Sequence, residues 1–300
     1  MSREIIADGR RTAVWTFEPD GPDGPDGPDG APSILAVHGF RGTHHGLVPL
    51  ARALAASGFR VHVPDLPGCG ASEPLLIAHD VAGYEEWLAG LSDVLGSPEV
   101  LLGHSFGSLV VSAALSRGVP YAGAVLVNPL VAPPLEGPRR VGIALTRQYY
   151  GVVEHLPERA ADALMGSRIV ASITAAVLTT TREERRRRWI RAEHIRQAPM
   201  FSSRAAVLEA YRASTRNTVP GLIGRPARPV LLLGGERDDL SPAPAQRDLA
   251  EQLPDGTFRP VPGVGHLIPY EAPDVAAATI ARWYRESGCR EGSAALPGWG

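Results

Sequence analysis

Between Ser33 and Pro129, short apolar runs alternate with stretches of helical periodicity, and this restricts the chain more than any other feature. "SILAVH" is followed by "GLVPLARALAASG", "FRVHVPD" by "VAGYEEWLAGLSDVLG", and "EVLLG" by "FGSLVVSAALSRG" before "AGAVLVNP". Gly58, Gly96 and Gly118 stand where the helical stretches should stop. The pattern resumes with "PVLLLGG", "PAPAQRDLAEQLP", "TFRPVPG" and "APDVAAATIARWYRES". The apolar runs are nearly continuous rather than alternating with polar residues, as strands buried on both faces require. Such a chain is expected to form an α/β fold: a mostly parallel central sheet, right-handed crossovers, and helices on both faces.

The alternation breaks between about Leu135 and Gly224, where helical stretches replace apolar β-runs. Residues 1–135 and 225–300 are therefore expected to form the core, and residues 136–224 an inserted helical cap over one end of the sheet. Upstream, Glu4 to Ala7 and Thr12 to Phe17 predict two short strands around "DGRR". The repeat "DGPDGPDGPDG" from Asp20 is too short for a collagen helix and reads as a proline-stiffened connection.

Several functions are excluded by composition. The 30 basic residues of the 300-residue chain are all Arg, so Schiff-base lysines, pyridoxal phosphate attachment and a P-loop lysine are ruled out. Two cysteines, Cys69 and Cys289, are too few for a disulfide framework. No apolar stretch reaches the ~18 residues of a membrane span, and "MSREIIADGRRTAVW" has no apolar targeting segment. A cytoplasmic protein without a membrane partner is expected. The Arg run in "TREERRRRWIRAEHIR" lacks aromatic interleaving, so it reads as a solvated helix face rather than a nucleic-acid site. Glu183 and Glu184 stand four residues before Arg187 and Arg188, in register for helix ion pairs.

In an open α/β sheet, sites form beyond the C-terminal ends of the strands. "GHSFG", Gly103 to Gly107, lies between a strand and a helix. A serine at such a bend takes a strained backbone so that its Oγ stands clear, and both flanking positions want glycine. Ser105 is thus the candidate nucleophile. In "VHGFRG", Phe40 follows a His-Gly pair; its backbone N–H and that of Phe106 are the candidate oxyanion hole. His38 is expected to brace this loop. "LLLGGERDDLSP" offers two adjacent aspartates, Asp238 and Asp239, to orient a histidine, and "VPGVGHLIPYEAP" offers His266 as the base. His104 should diverge from Ser105 and pack beneath it, while His44 and His45 are expected to be solvated.

Together these motifs resemble an α/β-hydrolase with a helical cap. "DLPGCGAS", Asp65 to Ser72, is similar to that family's D-x-P-G-x-G-x-S loop, with Cys69 in place of the commoner His or aromatic residue. The family often places its acid in a G-x-x-D-x-x-x-P frame, which Gly235, Asp238 and Pro242 match. The resemblance thus favours Asp238, leaving Asp239 to cap the following turn. Some relatives put the acid after the strand "AVLV"; Asn128 stands there, which removes that option. Ser108 replaces a frequent glycine and is small enough to keep helix and sheet close.

The expected activity is hydrolysis of a carboxylic ester through an acyl-enzyme on Ser105, with no organic cofactor and no metal. C–C bond cleavage of a ring-opened diketo acid and thioester hydrolysis use the same residues. A ligand-receptor or interaction module is the alternative outside catalysis. A small-molecule substrate is expected; the oligomeric state is not specified. The span Glu136 to Ile223 carries a net charge of +7, which suits either an anionic substrate or docking on the acidic remainder. "GIALTRQYYGVVEHL" and "VASITAAVL" are expected to supply an apolar acyl pocket.

Overall fold

The computed structural model describes residues 2–7, 9–19, 30–132 and 140–289. The Gly-Pro-Asp repeat from Asp20 to Asp29 and the tail beyond Cys289 lie outside them. Eight strands form one sheet: β1 (Ser2–Ala7), β2 (Arg10–Phe17), β3 (Ser33–Val37), β4 (Arg60–Pro64), β5 (Val100–His104), β6 (Gly123–Val127), β7 (Val230–Gly235) and β8 (Gly256–Val261). Their order is β1-β2-β4-β3-β5-β6-β7-β8. The β1–β2 hairpin is antiparallel and β2 joins β4 antiparallel; every later pairing is parallel.

The continuous apolar runs are explained by burial on both faces. Along β3, Leu35 and Val37 enter one core and Ile34 and Ala36 the other. β7 divides likewise, with Val230 and Leu232 on the first side and Leu231 and Leu233 on the second. The first face is covered by α2 (Val81–Val94), α3 (Phe106–Arg117) and α10 (Ala243–Gln252), through residues such as Trp87, Leu88, Leu109 and Leu249. The second is covered by α1 (Val48–Ala56) and α12 (Pro273–Glu286), through Leu50, Leu54, Ile280 and Trp283. Each such side chain contributes roughly 1.5–3 kcal/mol of burial. The outermost strand β8 leaves Arg259 and Pro260 exposed, and an edge is where a strand tolerates proline.

Between β6 and β7 the described residues form six helices: α4 (Arg140–His155), α5 (Glu158–Met165), α6 (Arg168–Leu178), α7 (Glu184–Gln197), α8 (Arg204–Arg216) and α9 (Val219–Leu222). The chain rejoins the core before its expected return at 225, since Val219 and Ile223 are buried against the residues of α3. On α7, Glu184 pairs with Arg188 at 3.2 Å as its spacing requires. Glu183 precedes the first helical turn and pairs with Arg186 at 3.3 Å, so Arg187 instead donates to the Thr181 carbonyl. Among the described residues no single helix is long and apolar enough to cross a membrane; α5 and α6 meet that test only as a pair bent by 40°.

Candidate active site

The bend between β5 and α3 sets the geometry. Ser105 has φ 53° and ψ −116°, a conformation that costs a non-glycine residue roughly 1–3 kcal/mol. Its N–H donates to the Val127 carbonyl at 3.0 Å. The glycines on either side answer to close approach. A Cβ on Gly103 would lie 2.3 Å from the Gly107 carbonyl oxygen, and one on Gly107 would lie 2.3 Å from that of Val37. Ser108 fits where a glycine was expected and adds a bond, its hydroxyl donating to the Ser105 carbonyl and accepting the Leu130 N–H.

Ser105 Oγ lies 2.8 Å from His266 Nε2, although 161 residues separate them. His266 Nδ1 lies 2.9 Å from Asp238 Oδ2. Asp238 is buried at the turn after β7, and its other oxygen accepts the N–H groups of Leu240 and Ser241 at 3.0 and 3.1 Å. Burial pushes its carboxyl upward, but the His266 ring, the Asn128 amide and these N–H groups together hold it below the usual carboxylate range. Asp238 therefore both meets His266 and caps its own turn, while Asp239 is exposed. A hydroxyl, an imidazole and a buried carboxylate in one hydrogen-bonded line can move a proton off the hydroxyl and stabilise the resulting imidazolium.

The loop after β3 abuts this line. Gly39 lies so near that an added Cβ would stand 3.3 Å from Ser105 Cβ. Among the described residues no acceptor takes the N–H of Phe40 or Phe106. His38 braces the loop, with Nδ1 donating to the Gly39 carbonyl and Nε2 accepting the Leu66 N–H, each at 2.9 Å. Burial holds its ring neutral by lowering its pKa. His104 packs beneath the site, donating from Nε2 to the His266 carbonyl at 3.1 Å; burial lowers its pKa to about 3. Among the described residues, no group of three or more His, Cys, Asp or Glu side chains could hold a metal ion.

His44 departs from expectation, because it is buried rather than solvated. It stacks on Trp15 at 3.3 Å between ring centroids, and both its N–H and its Nδ1 bond to Asp65 Oδ1. Asp65 in turn accepts the Ala71 N–H, so one carboxylate ties this loop to the segment "DLPGCGAS". A Cβ on Gly70 would strike Asp65 Oδ2, which accounts for that glycine.

A small pocket, partly open to solvent, adjoins Phe40 and Phe106. Its lining from the helical segment comes from the link between α7 and α8 and from α8, through Met200, Phe201, Ala206 and Val207, rather than from the expected "VASITAAVL". That segment, α6, instead exposes Ile169, Ile173 and Val177 by 73%, 58% and 51%. Tyr150 of the other expected segment packs on Phe40 and stacks on Tyr211.

Two contributors were not anticipated. Asn128, at the end of β6, donates from Nδ2 to Asp238 Oδ2 at 2.8 Å and to the Gly265 carbonyl at 3.1 Å. A polar residue ending an apolar run was the available signal, the same one that marks Asp238. Thr180 accepts the Gly265 N–H at 2.9 Å and rests on Glu271, so the helical segment grips the residue before His266. Nothing in its local sequence marks Thr180.

A model of the alpha/beta hydrolase family matches residues 34–279. The chain is 28% identical over 274 residues to the magnesium-chelatase 30 kDa subunit of Rhodobacter capsulatus, covering 84% of this chain and 86% of that protein. It is 29% identical over 243 residues to the pimeloyl-[acyl-carrier protein] methyl ester esterase of Chromobacterium violaceum, covering 78% and 87%. Among solved structures, a thermophilic esterase from Thermogutta terrifontis superposes with a TM-score of 0.69 at 23% identity, covering 96% of this chain and 99% of that one.

Proposed function

Because the chain belongs to the alpha/beta hydrolase family, we propose that it cleaves a carboxylic ester through Ser105, His266 and Asp238. The observation that carries this reading is the continuous line from Ser105 Oγ through His266 to buried Asp238, at 2.8 and 2.9 Å. His266 Nε2 takes the hydroxyl proton as Ser105 Oγ attacks the ester carbonyl. The N–H groups of Phe40 and Phe106 receive the oxyanion; one such donor is worth roughly 10²–10³ in rate. His266 then gives the proton to the departing alcohol, and water, deprotonated by His266, releases the acid from Ser105. Asp238 holds the Nδ1–H tautomer throughout.

Residues 136–224 act in this reading as a cap that shapes the acyl pocket, and the substrate is a small molecule. The relative from Chromobacterium violaceum, named as an ester hydrolase, supports the choice of bond. The relative from Rhodobacter capsulatus, named as a chelatase subunit, raises the other reading, an interaction module on the same fold. The presence of all three side chains in hydrogen-bonding register favours catalysis.

A panel of p-nitrophenyl esters of graded chain length, run beside a ring-opened diketo acid and an acyl-CoA, tests the proposal. Ester turnover at the highest kcat/KM is the expected result. Faster cleavage of either of the other two would reassign the bond, and turnover of none would favour the interaction module.

A further inference from the structure

The pocket beside Phe40 and Phe106 is lined almost wholly by apolar residues, yet Arg41 is among them. Arg41 follows the proposed oxyanion residue Phe40 and has φ 59°, a left-handed backbone that side-chain-bearing residues rarely adopt. Its Nη2 donates to the carbonyls of Met165 and Ala198, at the ends of α5 and α7, at 2.6 and 2.8 Å. Its plane lies over the Phe201 ring, 4.9 Å from the centroid. The other terminal nitrogen, Nη1, is buried without a hydrogen-bond partner, and among the described residues no carboxylate pairs with Arg41.

The remaining polar lining groups are already committed. Gln197 accepts the Thr43 N–H and donates to the Tyr270 hydroxyl. Tyr84 donates to the Pro67 carbonyl. The Cys69 thiol, pushed by burial to about 12, stays neutral. Arg41 is thus the pocket cation with a donor to spare. A buried cation without a counter-charge is costly, and a bound anion removes that cost.

We propose that Arg41 is a specificity residue that recognises an acyl group carrying a carboxylate at its far end, so that the preferred substrates are monoesters of dicarboxylic acids. The proposal rests on the ester-hydrolase reading above. The apolar walls take the methylene chain, Phe40 and Phe106 face the scissile carbonyl, and Nη1 of Arg41 donates to the distal carboxylate. Two neighbouring elements thus divide one substrate, the backbone of the loop holding one end and its next side chain the other. Charge-assisted bonds of this kind outweigh neutral ones and discriminate against substrates lacking the acceptor.

The test compares kcat/KM, by pH-stat titration, for the monoethyl esters of succinic, glutaric and adipic acids with the ethyl esters of monocarboxylic acids of equal chain length. The wild type is expected to prefer the best monoester by about tenfold or more. In Arg41→Met that ratio should fall by a similar factor. Equal or faster cleavage of the neutral esters by the wild type would overturn the proposal whether or not the variant folds, as would an unchanged ratio in folded Arg41→Met. Turnover of neutral esters alone leaves the hydrolase reading standing and sinks only this inference, whereas turnover of no ester sinks both.

Discussion

Asn128 Nδ2 lies 2.8 Å from Asp238 Oδ2, the same oxygen that takes the Nδ1–H of His266. The amide therefore holds the very oxygen that the imidazole engages. Asn128 has φ 48°, so an Asn128→Gly variant keeps the backbone at ease and removes only the amide. A fall in kcat of roughly tenfold or more is expected, in line with the ~1.5–3 kcal/mol of a hydrogen bond to a charged group. Asn128→Asp should be worse, since two carboxylates in contact hold a proton to higher pH than one. The acid limb of its kcat profile should move upward; an unmoved limb would show that Asn128 does not act through Asp238.

Asp238 and its neighbour are separated by environment. Asp238 is buried and bonded to His266, while Asp239 is exposed. Asp238→Asn leaves the shape and presents the wrong tautomer, with an expected loss in kcat of about 10⁴-fold. Asp239→Asn should change kcat less than about threefold, since surface substitutions cost at most roughly 0.5 kcal/mol. Steady-state kinetics of the pair checks this, and a larger defect at Asp239 would reverse the assignment.

His104 makes stability depend on pH. Its folded pKa is lowered by burial from 6.5 to about 3, so the folded state binds fewer protons than the unfolded chain between those values. Its contribution is complete above 6.5 and is lost as pH falls from 6.5 toward 3. His62, lowered by burial to about 4, works in the same direction. At pH 5 the loss through His104 is about 2 kcal/mol. Urea unfolding at pH 7.5 and pH 5.0 should show that gap narrowed by about this amount in His104→Gln, and an equal gap would contradict the buried neutral state.

The helical segment is tied to the His266 loop through Thr180. Its hydroxyl accepts the Gly265 N–H and donates to Glu271, which also accepts the Thr180 and Thr181 N–H groups at 2.7 and 3.0 Å. Thr180→Val keeps the shape and strands both partners, with an expected loss of about 1–3 kcal/mol. Thr181, whose hydroxyl accepts the N–H of exposed Glu183, is the control and should lose less than about 0.5 kcal/mol as Val. Denaturant midpoints measure both, and equal losses would remove Thr180 from this role.

The sheet and the Ser105, Asp238 and His266 positions were legible because each depends on local pattern. Strands buried on two faces must be continuously apolar, and a residue just past such a strand is placed by the strand itself. Gly103 and Gly107 advertise the bend because no other residue fits between crossing carbonyls. The burial of His44 is hidden in the sequence because its neighbours there are loop residues, while its partners come from β2, through Trp15, and from just past β4, through Asp65. Thr180 and Arg41 were invisible for the same reason: their contacts join the helical segment to the core, and helix packing leaves no short-range signature. The pocket wall was misplaced because α6 is as apolar as a lining helix yet faces outward.

The central claim is that Ser105 is an activated nucleophile. Treating the folded protein with a fluorophosphonate and mapping the adduct by mass spectrometry tests it most directly. One equivalent on Ser105 is expected, with none in Ser105→Ala, whose kcat should fall by about 10⁴-fold or more. Absence of the adduct in folded wild type, or a Ser105→Ala variant that keeps most of its esterase activity, would contradict the account.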